Sequence, residues 1–483
     1  MTKKNETGSP DISDRTRSTS VSEQRGFTGK PTGAALLLAY APSISAVESD
    51  RFSIESRVVV GREGPSNITI DDSRLSRAHF SIVKTGEGRF EIADLSSRNG
   101  TYLNGHPVTH AVEIKDATVI RAGRAVFVFH ENPGDLLAPT PVDTFGMAGR
   151  FHLHGLIHRL KKLADSCSHA LINGPTGVGK ELAAEAFARL TGRKLRVYNC
   201  AAYGTEDEAA TTLFGVRGNV YTNIPERTGL IEAADGGVLF LDEAHHLPPR
   251  LQKGLLRVVE RWTVVKVGEI QEKKVDVRFV LTSNEDESST YGLAHDLVAR
   301  MTVITIPSLR QRTSDIPYLF RALLHDRLQQ KGLDSESFLN LLAADHYESL
   351  CIDGFPFDNT RGLIKLADSI VSEAIFGASP EQAVSMVFES RYLDGPVIQR
   401  KLAHRHGGAA VSPDMEPRAE NPLNQMNIDL QTIDLIKNAY YQFHGVVIDM
   451  QHYLTEEKGL KISRRRIAKI LDGLGLPRLT RSR

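Results

Sequence analysis

Two stretches in the middle of the chain carry the residue types needed to bind nucleotide phosphates and to activate water. The first is a run of small residues that ends in a lysine and a glutamate: Gly174, Pro175, Thr176, Gly177, Val178, Gly179, Lys180 and Glu181. Its glycines allow backbone N–H groups to wrap phosphate oxygens, and Lys180 can reach the β- and γ-phosphates. The second follows about 60 residues later, where the apolar run 238–241 ends in Asp242 and Glu243. Asp242 is suited to holding Mg²⁺ and Glu243 to activating a water molecule.

The elements around these stretches predict an α/β domain over residues 145–378. The glycine run follows an apolar strand and precedes an amphipathic helix, which is the setting a phosphate-binding loop requires. Separated by helical stretches, five short apolar runs are predicted as strands of a buried parallel sheet. They are 170–172, 195–198, 238–241, 277–281 and 303–306, and residues 315–378 are predicted to be wholly helical.

The front of the chain has a different pattern. Residues 1–33 are rich in Ser, Thr and charge, and we predict that they are disordered. Over residues 34–131, short apolar runs alternate with Gly or Asn-Gly turn signals. This pattern is typical of an all-β sandwich.

The C-terminal end is predicted to be an all-α helix-turn-helix over residues 428–483, after a polar linker over 404–427. Between Lys458 and Arg483 there are nine basic residues and one acidic residue. A basic helix after a tight turn can place arginine and lysine on DNA phosphates and guanine edges. A solvated basic tail is the alternative. The candidate DNA-binding residues are Ser463, Arg464, Arg465, Arg466 and Lys469.

Composition narrows the class of protein. Among 483 residues, 59 Lys and Arg balance 59 Asp and Glu, which argues against a chain coated in basic charge for nucleic-acid packing. Three scattered cysteines have neither disulfide nor zinc spacing. The polar N-terminus lacks a signal-peptide pattern, and no apolar run is long enough to span a bilayer. We therefore predict a cytoplasmic, soluble, multidomain protein without membrane contact.

The middle region resembles the AAA+ ATPase domain of bacterial enhancer-binding proteins, the sigma-54-dependent activators. The matching segments are 179–181, 199–202, 213–215, 234–237, 255–259, 282–284 and 307–312. The resemblance implies ATP and Mg²⁺ as cofactors and a homo-oligomeric ring, a hexamer in this family. It also implies roles for four residues outside the phosphate loop: Asn199 as switch partner of Glu243, Asn284 as sensor, Arg300 as trans-acting finger, and Arg361 as lid contact to the nucleotide.

The resemblance breaks at the loop that contacts sigma-54. The family has Gly-Ala-Phe-Thr-Gly-Ala there, whereas residues 219–224 keep only the aromatic-hydroxyl pair Tyr221 and Thr222. Loss of both glycines makes a tight mobile turn harder to form and argues against engagement of sigma-54. The first arginine position of the finger segment is Ala294, a second departure.

Residues 35–130 resemble a forkhead-associated (FHA) domain, a β-sandwich that binds phosphothreonine peptides through loops at one end. The match rests on 61–62, 76–79, 97–101 and 103–105. By resemblance His79 braces the loops. The implied phosphopeptide-binding residues are Arg62, Ser76, Arg77, Arg98 and Asn99. Arginine suits this role because it forms charge-assisted hydrogen bonds with a dianionic phosphate.

Two functions fit these features. In the first, the chain is an ATP-dependent transcription regulator that reads a phosphothreonine signal, binds promoter or enhancer DNA, and contacts a sigma factor. In the second, it is a phosphopeptide-responsive DNA-binding regulator or scaffold, and nucleotide drives assembly without remodelling the polymerase. The phosphorylated partner, its kinase, the promoter and the direction of regulation have no signature in the residues.

Overall fold

A computed structural model describes residues 33–42, 49–64, 66–166, 168–218, 226–284, 287–355, 358–393 and 395–405, together with Ile436, Leu454 and Ile467. The chain divides into two compact units, residues 1–402 and 403–483. In the second unit the three described residues beyond 405 are buried, and they are helical, as the all-α prediction for 428–483 requires. No helix in the described ranges is long and apolar enough to cross a membrane.

The front of the first unit is a two-sheet β-sandwich, as predicted. Its strands are β1 Ala34–Tyr40, β2 Arg51–Ile54, β3 Arg57–Gly61, β4 Ile68–Thr69, β5 Phe80–Lys84, β6 Phe90–Asp94, β7 Thr101–Leu103, β8 His106–Pro107, β9 Val112–Ile114, β10 Thr118–Ala122 and β11 Ala125–His130. One sheet has the order β2-β1-β11-β10-β7-β8 and the other β4-β3-β5-β6-β9. The strands pair antiparallel except β3 with β4, which are parallel.

Strand β1 is apolar throughout because both of its faces are covered. Leu36 and Leu38 point into the sandwich core, together with Phe80 and Phe127. The alternate residues Ala35 and Leu37 pack instead against Phe151 of the following domain. A strand that is buried on both faces has a continuous apolar sequence rather than an alternating one. The apolar sequence of β1 is therefore explained by its contact with the following domain.

The second domain is a five-stranded parallel sheet flanked by helices. It contains α1 Leu153–Asp165, β12 His169–Asn173, α2 Lys180–Thr191, β13 Leu195–Asn199, α3 Glu206–Phe214, β14 Gly215–Val216, β15 Arg227–Thr228, α4 Leu230–Ala233, β16 Val238–Asp242, α5 Pro249–Arg261, β17 Thr263–Val264, β18 Lys273–Lys274, β19 Arg278–Ser283, α6 His295–Val298 and β20 Met301–Thr305. The sheet order is β13-β16-β19-β12-β20. The short pairs β14 with β15 and β17 with β18 lie outside this sheet.

All five predicted parallel strands are present, but burial was overestimated for one of them. Strand β13 forms an edge of the sheet, and its Val197 is 53% exposed. An apolar run alone cannot distinguish a central strand from an edge strand.

A helical lid follows the sheet. It consists of α7 Ile316–Gln330, α8 Ser335–Leu339, α9 Ala344–Asp353, α10 Thr360–Ile375, α11 Pro380–Tyr392 and α12 Pro396–Arg405. The helical prediction for 315–378 is confirmed in the described residues. Helical packing continues past residue 378, the predicted end of the domain, because Ala383, Val384 and Phe388 of α11 belong to the lid core.

Candidate nucleotide and phosphopeptide sites

The predicted phosphate loop connects β12 to α2, and its lysine is bonded to the loop itself. Lys180 Nζ donates to the carbonyl oxygens of Gly174 at 2.7 Å and Pro175 at 3.4 Å. Gly177 and Gly179 have φ values of +79° and +101°, a region that favours glycine. A Cβ at Gly177 would also lie 2.7 Å from the carbonyl oxygen of Asp358. The loop thus needs glycine for both backbone conformation and space.

The two predicted carboxylates lie at the same edge of the sheet as the loop. Asp242 ends β16, and its Oδ1 accepts a 2.6 Å hydrogen bond from the Thr282 hydroxyl. Glu243 follows in a left-handed conformation, with φ of +52°. Burial lowers the pKa of Lys180, whereas the charges of Asp242 and Glu243 act to raise it. Both carboxylates therefore lie within electrostatic range of the lysine.

The two predicted asparagines lie at this edge as well. Asn199 pairs in register with Asp242, and its side-chain oxygen accepts from the N–H of Ala201 at 2.8 Å. Asn284 directly follows β19, next to the start of the phosphate loop, and is exposed. The structure thus brings both residues beside the carboxylates. Their roles as switch and sensor stay predictions.

Arg300 lies at the other end of the parallel strands, away from the phosphate loop. It directly precedes β20, whereas the phosphate loop and the carboxylates follow the carboxyl ends of their strands. A five-residue strand is roughly 16 Å long, so Arg300 is separated from its own chain's phosphate loop by about the height of the sheet. Its guanidinium instead pairs with Glu260 on α5 at 3.0 Å. Arg300 could therefore have a catalytic role only at the nucleotide site of a neighbouring protomer.

The lid reaches the phosphate loop through the start of α10. The N–H of Thr360 donates to Gly177 O at 3.1 Å, and Asn359 Nδ2 donates to Thr176 O at 3.0 Å. Arg361 lies over the same loop, with its Cγ 3.2 Å from where a Cβ on Gly177 would be. The predicted lid arginine is therefore adjacent to the candidate nucleotide site.

Three residues without a predicted role also bond to the site: Thr282, Asn359 and Arg312. Besides the contacts above, Asn359 Oδ1 accepts from Leu309 N at 2.7 Å. The buried Arg312 donates from Nη2 to Val178 O at 2.8 Å. The available sequence signal was that Thr282 and Arg312 lie within segments that carry the family resemblance and that Asn359 lies two residues before Arg361. Nothing in the residue types distinguishes them from their neighbours.

Two sets of predicted residues lie outside the described part of the chain. Tyr221 and Thr222 fall between β14 and β15, which pair antiparallel on either side of them. The predicted DNA-binding residues Ser463, Arg464, Arg465, Arg466 and Lys469 fall in the second unit. Both assignments remain predictions.

The predicted phosphopeptide residues converge at one end of the sandwich. The Ser76 hydroxyl accepts from Arg98 N at 3.1 Å, and Asn99 Nδ2 donates to Arg74 O at 2.6 Å. His79 is fully buried and links the loops, because its Nδ1 accepts from Ser76 N at 3.0 Å and its Nε2 lies 3.1 Å from Gly100 O. Burial lowers the pKa of His79. These contacts match the bracing role predicted for this histidine.

The arginines of this end point outward. Arg62, Arg77 and Arg98 are all exposed, and Arg62 pairs with Glu63 at 3.2 Å. The ordered part of the site is thus the loop backbone, and its cationic groups are side chains in solvent. Such an arrangement can accept a dianionic group through charge-assisted hydrogen bonds.

A buried ion network joins the sandwich to the lid. Glu348 of α9 has a fully buried side chain and pairs with Arg121 of β10 at 3.0 Å and with Arg400 of α12 at 2.8 Å. The Arg121 and Arg400 guanidinium groups also lie 4.3 Å and 4.1 Å from the ring centroid of Tyr102. Tyr102 is two residues after Gly100 of the phosphopeptide loops. Tyr102 and the two arginines thus connect the phosphopeptide loop to Glu348 of the lid.

An apolar contact accompanies this network. The Tyr40 ring lies 4.1 Å from that of Tyr347, and its hydroxyl donates to Leu342 O at 3.2 Å. Val119 and Val126 of the sandwich belong to the same hydrophobic core as the lid helices. The sandwich and the lid therefore share a core.

Comparison with known proteins matches both domains. The sigma-54 interaction domain family matches residues 148–307, and the FHA domain family matches residues 58–123. Transcriptional regulatory protein ZraR of Klebsiella oxytoca is 37% identical over 195 residues, covering 38% of this chain and 44% of that protein. The putative uric acid sigma-54-dependent transcriptional regulator UacR of Escherichia coli is 33% identical over 223 residues, covering 44% of this chain and 37% of that protein.

Among solved structures, NtrX from Brucella abortus matches at 20% identity with a TM-score of 0.41, covering 68% of this chain and 69% of that one. The matches to ZraR and UacR span less than half the length of those relatives. Residues 58–123 thus match the FHA domain and residues 148–307 the sigma-54 interaction domain, and the chain is similar in part to proteins named as transcriptional regulators.

Proposed function

We propose that this protein is an ATP-hydrolysing transcription regulator whose activity responds to a phosphothreonine signal. The observation that carries the proposal is the meeting of Lys180, Asp242, Glu243 and the lid residue Arg361 around one glycine loop. A loop of backbone N–H groups, a lysine and a carboxylate pair are the parts that phosphoryl transfer from ATP requires.

Each residue has a distinct role in the proposed reaction. Lys180 leaves the Gly174 carbonyl and binds the β- and γ-phosphates. Asp242 would hold the Mg²⁺ that accompanies ATP and neutralises charge on the phosphates. Glu243 accepts a proton from the attacking water, which Asn284 orients. Asn199 restrains Glu243, and Arg361 binds the nucleotide from the lid.

The position of Arg300 supports an oligomer. Because Arg300 lies across the sheet from its own phosphate loop, it serves the nucleotide of an adjacent protomer. A homo-oligomeric ring, a hexamer by resemblance, satisfies this requirement. The exposed edge strand β13 is compatible with such packing.

The FHA domain supplies the proposed input. Arg62, Ser76, Arg77, Arg98 and Asn99 would bind phosphothreonine in a protein or peptide. The buried network of Arg121, Glu348 and Arg400 supports transmission to the lid, because binding at the loops acts on elements that pack directly against α9. Output is proposed to occur in the cytoplasm, through DNA bound by Ser463, Arg464, Arg465, Arg466 and Lys469 and through a sigma factor contacted by Tyr221 and Thr222.

A second function is favoured by one specific observation. Ala294 occupies the first finger position, is partly buried in the core beneath the sheet, and donates its N–H to Gln252 Oε1 at 2.6 Å. It offers no charge to a neighbouring nucleotide. In this alternative, the chain is a phosphopeptide-responsive DNA-binding regulator or scaffold, and nucleotide binding drives assembly without polymerase remodelling.

A Glu243→Gln variant separates the two functions. It keeps the shape of the side chain and removes the base, so ATP binding should persist while hydrolysis falls by roughly 100-fold or more. In vitro transcription with sigma-54 polymerase and with the ordinary holoenzyme then follows, on a promoter that the protein binds. Loss of ATP-dependent output with DNA binding intact supports the first function. Unchanged output contradicts it and supports the alternative.

A further inference from the structure

Thr282 occupies a central position beneath the two carboxylates of the nucleotide site. It lies in β19, between β16 and β12, and is fully buried. Its hydroxyl donates to Asp242 Oδ1 at 2.6 Å and accepts from the backbone N–H of Glu243 at 2.9 Å. One side chain therefore contacts both residues to which the chemistry is assigned.

The direction of these hydrogen bonds is determined by the chemistry. A hydroxyl has one proton, and the Glu243 N–H can only donate. The Thr282 oxygen accepts from Glu243, so its proton goes to Asp242. The carboxylate orientation of Asp242 is thereby linked to the backbone position of the next residue.

The backbone at Glu243 needs such support. Glu243 has φ of +52° and ψ of +44°, in the left-handed region that residues other than glycine rarely adopt. On the other side of this corner, Cys200 N donates to Asp242 O at 2.8 Å. The corner is thus bonded through the Asp242 carbonyl to Cys200, directly after β13, and through Thr282 to β19.

We propose that Thr282 is a positioning residue for ATP hydrolysis, which holds the Asp242 carboxylate and the Glu243 backbone in one arrangement. This inference rests on the proposed ATPase function. Thr282 takes no direct part in the reaction; it fixes the two residues to which Mg²⁺ and the attacking water are assigned. The hydroxyl group makes both of these contacts.

The test compares Thr282→Val, which keeps the shape without the hydroxyl, with Thr282→Ser, which keeps the hydroxyl. We expect Thr282→Val to lower kcat by roughly 10- to 100-fold, the range for losing a hydrogen bond to a charged group. The kcat of Thr282→Ser should stay within about 3-fold of that of the parent protein. Thr302→Val, at an exposed site of β20, is the matched control and should be unaffected. Thermal unfolding checks that each variant is folded.

Calorimetric ATP binding with Mg²⁺ and with EDTA supplies a readout independent of turnover. Thr282→Val should lose most of the affinity that Mg²⁺ adds, while Ser retains it. The positioning role is overturned if Thr282→Val and Thr282→Ser lower kcat equally. It is also overturned if Thr282→Val leaves kcat and the Mg²⁺ dependence of ATP binding unchanged. A parent protein that binds but does not hydrolyse ATP contradicts the proposed ATPase function instead, and the Mg²⁺ dependence then decides the role of Thr282.

Discussion

The two anion sites of this chain are built in opposite ways. At the nucleotide site, charged groups are bonded into the fold: Lys180 to the loop carbonyls, and Asp242 to the buried Thr282. At the phosphopeptide end, the loop backbone is tied together by His79, Ser76 and Asn99, while the arginines extend into solvent.

This difference separates chemistry from recognition. At the nucleotide site, the carboxylate of Asp242 has its position fixed before the ligand arrives, which benefits a site that must hold reacting atoms. A site that only binds can use flexible cations on ordered loops, since each contributes through a charge-assisted hydrogen bond. Substitutions should therefore abolish function at the first site and reduce affinity by degrees at the second.

The largest effect is expected for Lys180→Ala. It removes the cation that binds the β- and γ-phosphates, so ATP affinity should fall by about 100-fold or more and hydrolysis should be lost. Fluorescent ATP-analogue titration and phosphate release measure both. Lys161→Ala, an exposed lysine on α1, is the control. A hydrolysis rate of Lys180→Ala within tenfold of the parent rate would contradict the proposed difference between the nucleotide site and the phosphopeptide site.

Next in size is Glu348→Gln at the junction between the FHA domain and the lid. It removes the buried carboxylate and leaves Arg121 and Arg400, only 14% and 11% exposed, with Asp345 as their remaining anionic partner. Removing one partner of a buried ion pair typically costs about 3–5 kcal/mol. The free energy of unfolding in urea should fall by about 3 kcal/mol, against little change for the exposed control Glu381→Gln. Unchanged stability would mean that Glu348 contributes nothing measurable to holding the two domains together.

A smaller and graded effect is expected for Arg77→Ala. Affinity for phosphothreonine peptides, measured on an array of varied sequence, should fall by roughly 10- to 100-fold for every bound peptide. ATP affinity should be unchanged, which is the point of comparison with Lys180→Ala. Arg89→Ala, an exposed arginine elsewhere on the sandwich, is the control. Peptides bound equally well by Arg77→Ala would assign the phosphate to other residues.

The smallest effect concerns acid stability. His169 is buried against Trp262 and Phe279, and burial lowers its pKa to about 4. Because the unfolded chain binds a proton near pH 6.5 and the folded chain does not, stability should fall as the pH drops from about 6.5 to 4. Urea denaturation should register a loss on the order of 2 kcal/mol that His169→Gln diminishes. The exposed control His110→Gln should leave the profile unchanged, and an unaltered profile in His169→Gln would exclude this histidine as the cause.

The sequence predicted the placement of residues where the pattern is local. The glycine loop between β12 and α2, the position of the carboxylates after β16 and the alternation of strands with helices follow from residue types at short spacing. The roles of Thr282 and Glu348 could not be predicted, because they depend on which strands and helices become neighbours. A buried threonine and a helical glutamate are ordinary residues until the tertiary fold places an aspartate or two arginines beside them. Val197 was misjudged for the same reason, since edge position is a property of the whole sheet.

The shared core of sandwich and lid has a consequence for how this chain can be cut. Deleting residues 1–131 would expose the surfaces of Leu342 and Tyr347. It would also remove Arg121, so that Glu348 would keep one arginine partner in place of two. Sensor domains are often treated as cassettes that can be exchanged between proteins. Here a transplanted or truncated version would need a repacked α9, because the two domains share one hydrophobic core.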